Sequence, residues 1–227
     1  MSEYMDEFVK NTDLSQNKPM RDVIYESLRS TIIKGKIPVG ERIIEKEYAD
    51  RLNISRTPIR EALKRLELEE LVEYIPKFGV VVKRISKKDV IEIYKIRHSL
   101  EVLAAVNAME NITSSEIQEI KDLLNLTEQK NNEGRVEEVI VLFGEFNFKI
   151  YKASKMNRLA SMISKLNEYL QRFRDISIKD NKRRKSGLIE HKQILQAIID
   201  KDKARVDKLI QRHLDYSLNI VLEEIDE

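Results

Sequence analysis

Apolar residues recur at helical spacing through most of the chain, and the places where that spacing fails mark its elements. Residues 54–71, ISRTPIREALKRLELEEL, carry the sharpest pattern. Ile59, Ala62, Leu63 and Leu66 fall at i, i+3, i+4 and i+7, which is one face of a helix. Ser55 or Thr57 can cap the free N–H groups of its first turn, and Pro58 stands where a missing N–H costs nothing. Upstream, Val23, Ile24, Leu28, Ile32 and Ile33 form the buried stripe of a helix from Pro19 or Met20 to about Lys34, with Gly35 as its stop. KIPVGERI is a turn broken by Pro38 and Gly40. Glu45 to Leu52 reads as a short helix with Tyr48, Ala49 and Leu52 inward, joined by Asn53 and Ile54 to the helix beyond. LVEYI and VVVKRI around PKFG read as a hairpin. Residues 1–18 are polar with few apolar anchors and are expected to be a flexible arm carrying at most a short helix.

From Ser86 onward the pattern is helical. Six helices are expected, at about 87–109, 114–131, 135–153, 157–176, 186–200 and 203–224, with capping boxes at Ser86 to Asp89 and Thr113 to Glu116. No fixed-period repeat is visible, so a solenoid is not expected. The predicted fold is mainly α: a winged helix-turn-helix over 19–85, followed by a six-helix antiparallel all-α bundle over 86–227.

Composition narrows the function. There is no Cys, which excludes disulfides and thiolate metal sites, and only six Gly and four Pro in 227 residues, too few for a loop-rich β protein. The first residues lack the basic-then-apolar layout of a signal peptide, and no apolar run approaches the roughly 18 residues of a membrane span. A cytoplasmic protein that does not enter membranes is expected. Net charge is only +2, yet residues 19–85 alone carry +3. That excess is modest, and a solvated surface would also explain it.

Position says more than the sum. Arg56, Thr57 and Arg60 lie at the leading end of the 54–71 helix, off its apolar face. In a helix-turn-helix this is the end that enters the major groove, where arginine forks read guanine edges. Lys46, at the start of the preceding helix, is in reach of a phosphate. Lys77 and Phe78, beside Gly79 at the wing tip, are placed to touch the minor groove or backbone. Lys64 and Arg65 lie deeper and read as solvated surface.

SRTPIREALKRLELEELVEYIPKFGVVV resembles the DNA-binding signature of the GntR family of bacterial transcription regulators. The resemblance implies DNA contacts at Lys46, Arg56, Thr57, Arg60 and the wing tip Phe78–Gly79. Phe78 stands where the family often has His or Arg, and so lacks a polar contact there. Glu70 stands where the family usually has Gly, which a helix end accommodates if Glu70 stays out of φ > 0. DVIEIYKIRHSLEVLAA, FNFKIYKAS, IEHKQILQAIIDKDKARV and RHL are similar to helices of the FCD effector domain of the FadR-like branch. Six helices after the wing resemble the VanR-type subgroup.

The FCD resemblance also implies a divalent-metal site made of an Asp, a His four residues later and two further His. His191 and His213 match the last two ligands, and their stripes point both inward. Phe143 and Asn147 stand at the Asp and first His positions, so no anionic ligand offsets the charge of an ion. Three readings stay open: a metal on His191 and His213; polar hooks for an organic effector from Asn147, His191 and His213; or core residues satisfied by hydrogen bonds or water. The resemblance adds Arg97 as a fork for an effector carboxylate, against an i,i+4 ion pair with Glu101. His98 has no matching role. The leading reading is an effector-responsive transcriptional regulator, a repressor sensing a small organic acid and binding a palindromic operator as a homodimer. The alternatives are a metal-dependent helical hydrolase using the inward histidines, or a module whose wing domain meets protein. The hydrolase lacks a His-Glu-x-x-His run, paired carboxylates near the histidines and a Gly-rich phosphate loop.

Overall fold

The structure is a computed structural model and describes residues 3–170 and 180–225. The chain divides into two compact units, Met1–Ile85 and Ser86–Glu227.

In the first unit, α1 (Glu3–Lys10) and α2 (Met20–Ile33) precede a short strand β1 (Arg42–Ile43). The helix-turn-helix follows as α3 (Glu45–Leu52) and α4 (Arg56–Leu68), and then the wing as β2 (Val72–Ile75) and β3 (Gly79–Val82). The wing is a three-stranded antiparallel sheet of order β1-β3-β2, with Arg42 opposite Val81 and Tyr74 opposite Val80. The sequence pattern had placed Arg42 and Ile43 in a turn. Two residues are too short a run to show alternation, and pairing with β3 is what makes them a strand.

The apolar face expected for α4 is its buried face: Ile59, Ala62 and Leu66 are fully covered and Leu63 nearly so. Ser55 holds the N-cap position, but its side chain makes no capping bond. The reason is local. The third helical residue is Pro58, which has no N–H to give to the Ser55 hydroxyl. At the other end Leu71 N–H reaches Leu66 C=O at 3.0 Å and Glu70 N–H reaches Glu67 C=O at 3.0 Å. This Schellman closure requires a left-handed residue, and Glu70 supplies it with φ 59°. The condition under which a helix end accommodates Glu at this position, φ below zero, is therefore not met.

The flexible arm is also corrected. Phe8 is fully buried with its ring 5.0 Å from that of Tyr48, and Thr12 bonds Ser27 at 2.7 Å between hydroxyls. Asp6 pairs with Arg51, and the Tyr4 hydroxyl donates to Glu41. One aromatic anchor and three polar ties hold α1 to α2, α3 and the turn before β1, although the segment is polar on average.

The second unit comprises α5 (Lys87–Asn111), α6 (Ser114–Asn132), α7 (Val136–Ala153), α8 (Asn157–Tyr169), α9 (Asn181–Ile199) and α10 (Lys203–Ile225). Both expected capping boxes are present, at Ser86 with Asp89 and Thr113 with Glu116. Short connections at 112–113, 133–135, 154–156 and 200–202 turn the chain back on itself. Helix α5 packs on α10, α7 and α8, while α9 packs on α10 and α6. Ala104, Tyr151, Leu159 and Ile163 form one apolar cluster of this core. The part of the fourth expected helix over 171–176 lies outside the described residues. Helix α9 begins at Asn181, not at 186, because Asp180 caps it by accepting from the N–H groups of Lys182 and Arg183. Among the described residues no helix is long and apolar enough to cross a membrane.

Candidate nucleic-acid interface and effector site

The exposed face of the first unit is built from the start of α4, the start of α3 and the wing tip. Arg56, Thr57 and Arg60 are all exposed at the leading end of α4, one turn from its buried back. Asn53, left-handed at φ 55°, makes the sharp turn that brings α3 beside them. Lys46, Arg56 and Lys77 are exposed and make no ion pair among the described residues. Arg60 is different. Its Nε lies 3.1 and 3.2 Å from the two Glu45 carboxylate oxygens, and its Nη2 lies 2.8 Å from one of them. Arg65, expected to be free surface, pairs with Asp22 at 2.5 Å and stacks over the Tyr25 ring at 3.7 Å, so it ties α4 to α2.

At the wing tip Phe78 N–H donates to Ile75 C=O at 3.0 Å across Pro76 and Lys77, and Lys77 has φ 67°. A proline followed by a residue with positive φ is the type II turn pattern. Phe78 is exposed, and the guanidinium of Arg42 lies 5.3 Å from its ring centroid. A Cβ at Gly79 would come within 3.3 Å of Arg42 Nε, and φ there is +106°. Arg42 thus supplies a cation beside Phe78 where the family often has a polar residue. Neither Arg42 nor Glu45 stands out in the sequence, because each acts through a neighbour that folding brings to it.

The second unit holds a buried polar cluster. Arg183 Nη1 donates to Glu190 at 2.9 Å, and His213 Nδ1 lies 2.7 Å from the same carboxylate oxygen. Burial lowers the His213 pKa, and Arg183 adds to that, against the opposing pull of Glu190 and Glu101. The ring is therefore neutral near pH 7. The short contact assigns its proton to Nδ1, donating to Glu190. Burial pushes the Glu190 carboxyl up, but the hydrogen bonds from His213 and Arg183 and the Arg183 charge outweigh this and hold it at about 2. Arg97 is 2% exposed and gives both Nε and Nη2 to Glu101 Oε1, at 3.0 and 2.8 Å. The i,i+4 pair is thus formed, and Arg97 Nη1 stays buried with no hydrogen-bond partner among the described residues.

His191 is buried and brought to His213, with ring centroids 5.1 Å apart. Phe143 meets it edge-on at 4.8 Å, and Phe146 stacks on it at 4.1 Å and 14°. Asn147 is only half-buried; Phe146, not Asn147, covers the His191 ring. A Cβ at Gly187 would lie 3.3 Å from the Phe143 ring, so a bare backbone in α9 makes room for that ring. His98 is half-buried, with Nε2 3.0 Å from a carboxylate oxygen of the exposed Asp207.

This donor set does not fit a metal. Phenyl rings occupy two sides of His191, Glu190 is committed to Arg183 and His213, and no group of three His, Asp or Glu among the described residues converges on one point. One carboxylate, Glu190, touches His213 directly, which sequence reasoning did not single out. Glu190 escaped notice because it lies off the apolar stripe of its helix. Its burial depends on Arg183, seven residues earlier.

A winged helix-turn-helix with an arginine-fronted second helix, followed by a separate helical unit, defines the class of a DNA-binding regulator. Residues 20–82 match the profile of the bacterial regulatory proteins of the gntR family, and residues 92–216 match the FCD domain. The chain is 33% identical to the HTH-type transcriptional regulator McbR of Escherichia coli (strain K12) over 143 residues, 63% of this chain and 65% of that protein. It is 30% identical to the Nta operon transcriptional regulator of Aminobacter aminovorans, over 80% of this chain and 87% of that one. It is 26% identical to the HTH-type transcriptional repressor RspR of Escherichia coli (strain K12), over 89% of each. The solved structure of E. coli McbR/YncC superposes with a TM-score of 0.69 at 25% identity, covering 91% of this chain and 99% of that one. The chain belongs to the GntR family, with an FCD domain, and is a DNA-binding transcriptional regulator rather than an enzyme. Neither match supports the hydrolase alternative.

Proposed function

We propose that the protein is an effector-responsive repressor that binds a palindromic operator as a homodimer in the cytoplasm. The first turn of α4 enters the major groove with Arg56, Thr57 and Arg60, Lys46 meets a phosphate, and Lys77, Phe78 and Gly79 at the wing tip lie along the backbone or minor groove. The observation that carries this reading is the exposed, arginine-fronted end of a helix whose opposite face is fully buried. A two-fold dimer would place two such ends on half-sites about one helical turn apart or less. The relative RspR of Escherichia coli is a transcriptional repressor by name, which supports repression. In the second unit a small carboxylate effector would be drawn by Arg97 Nη1 together with His213 and His191, with Asn147 at its margin. The free Nη1 of Arg97 supports that assignment. An effector shifts operator affinity only if it binds the two states of the regulator unequally.

Arg60→Ala is the deciding variant. On a duplex enriched by the wild-type protein from a random-sequence pool, its loss should weaken binding by about 1–3 kcal/mol and relax preference at one base pair. Unchanged affinity in a fluorescence-anisotropy titration would remove α4 as the reading element.

A further inference from the structure

The contact between Glu45 and Arg60 crosses from α3 to α4 on the face turned outward. We infer that Glu45 is a positioning residue for base readout: it holds one edge of the Arg60 guanidinium and leaves the other edge for a guanine. The inference rests on the reading of α4 as the recognition helix.

A guanidinium presents two forks, one from Nε with Nη2 and one from Nη1 with Nη2. The first fork is the one turned to Glu45, with Nε at 3.1 and 3.2 Å from the two oxygens and Nη2 at 2.8 Å from one. In the second, Nη1 makes no hydrogen bond among the described residues, and Nη2, which turns one N–H to Glu45, keeps its other N–H on that edge. Two parallel N–H donors of that shape match guanine O6 and N7. The Arg60 side chain is 55% exposed and that of Glu45 29%, so the pair contributes little to the stability of the fold. What it does instead is fix a long side chain before DNA arrives, so that less rotamer freedom is lost on binding.

Glu45 is itself well placed to serve as an anchor. It opens α3, where the helix N-terminus favours a carboxylate, and α3 is pinned by the buried Tyr48 and Ala49. The same carboxylate has a drawback. Standing on a face that meets phosphates, it repels any duplex regardless of sequence. Glu45 therefore weakens general affinity while sharpening discrimination. The two effects have opposite signs, which a residue serving only the fold would not produce.

The test compares the full chain with Glu45→Ala, Glu45→Gln and Arg60→Ala on the enriched duplex and on a shuffled duplex of equal length, across salt. For Glu45→Ala, binding to the shuffled duplex should strengthen while the ratio of enriched to shuffled affinity falls about fivefold or more, within the range of one lost bidentate contact. Glu45→Gln removes the charge but keeps an acceptor for Arg60. Its shuffled-duplex binding should rise as in Glu45→Ala, with the ratio nearer wild type. A ratio unchanged in Glu45→Ala while Arg60→Ala collapses it overturns the inference and leaves the recognition helix standing. A parallel loss on both duplexes, with a lower melting temperature, also overturns it, because that marks a structural role. An unchanged ratio in Arg60→Ala removes the recognition reading and this inference with it.

Discussion

Glu70 shows how a single backbone angle outweighs a tolerant-looking sequence. Its φ of 59° lies in the left-handed region, where a side chain costs on the order of 1 kcal/mol, and its ion pair with Lys83 at 2.9 Å is exposed and offsets little of that. Glu70→Gly should therefore stabilise the first unit by about 0.5–1 kcal/mol. The check is the urea midpoint at unchanged slope. The same scale explains why part of the site escaped sequence reasoning. Arg56, Thr57 and Arg60 are legible from helical spacing alone, since their exposure follows from the burial of Ile59, Ala62, Leu63 and Leu66 on the other side. Arg42 and Glu45 are not, because their partners are chosen by the pairing of β1 with β3 and by the angle between α3 and α4.

Among the elements, α4, the β2–β3 hairpin of the wing and both capping boxes follow from local rules, and they are where the pattern was expected to put them. Helix α1 and the first turn of α9 do not. Each is a polar stretch made helical by a few specific ties: Phe8 against Tyr48 in one, the Asp180 cap with Arg183 and Arg184 buried in the other. Arg184 finds Asn131, fifty-three residues away, at 2.9 Å, and no window of sequence shows such a partner. The energetic weight of α1 is testable. Phe8→Ala should cost about 3 kcal/mol in chemical denaturation of the first unit, as expected for an emptied aromatic site. It should also weaken DNA binding through the loss of support for α3. A loose arm would show neither effect.

For the molecule as a whole, the buried cluster links stability to pH. His213 and Glu190 both have folded pKa values below their unfolded ones, so the unfolded chain binds more protons and stability rises with pH. The His213 contribution is complete above its unfolded value of about 6.5 and is lost as pH falls through and below it. That of Glu190 is complete above about 4.5 and is lost as pH falls toward its folded value of about 2. The urea midpoint of the wild type should therefore drop between pH 7 and pH 5. His213→Gln keeps a donor for Glu190 without a titrating ring, and its midpoint should drop less over the same interval. An equal drop in both would place the titrating group elsewhere.

The fit of the Phe143 ring against bare Gly187 ties two helices together as plug and socket. Each position constrains the other. A carboxylate placed at 143 would leave a slot the size of a benzene ring between α7 and α9, and a side chain at 187 would bring its Cβ to 3.3 Å from the ring already there, which would have to give way. Introducing ion chemistry into this domain would take paired substitutions, with a carboxylate at 143 and a filling residue at 187. The His191 ring, now held between Phe143 and Phe146, would still have to be freed to turn a nitrogen toward the ion.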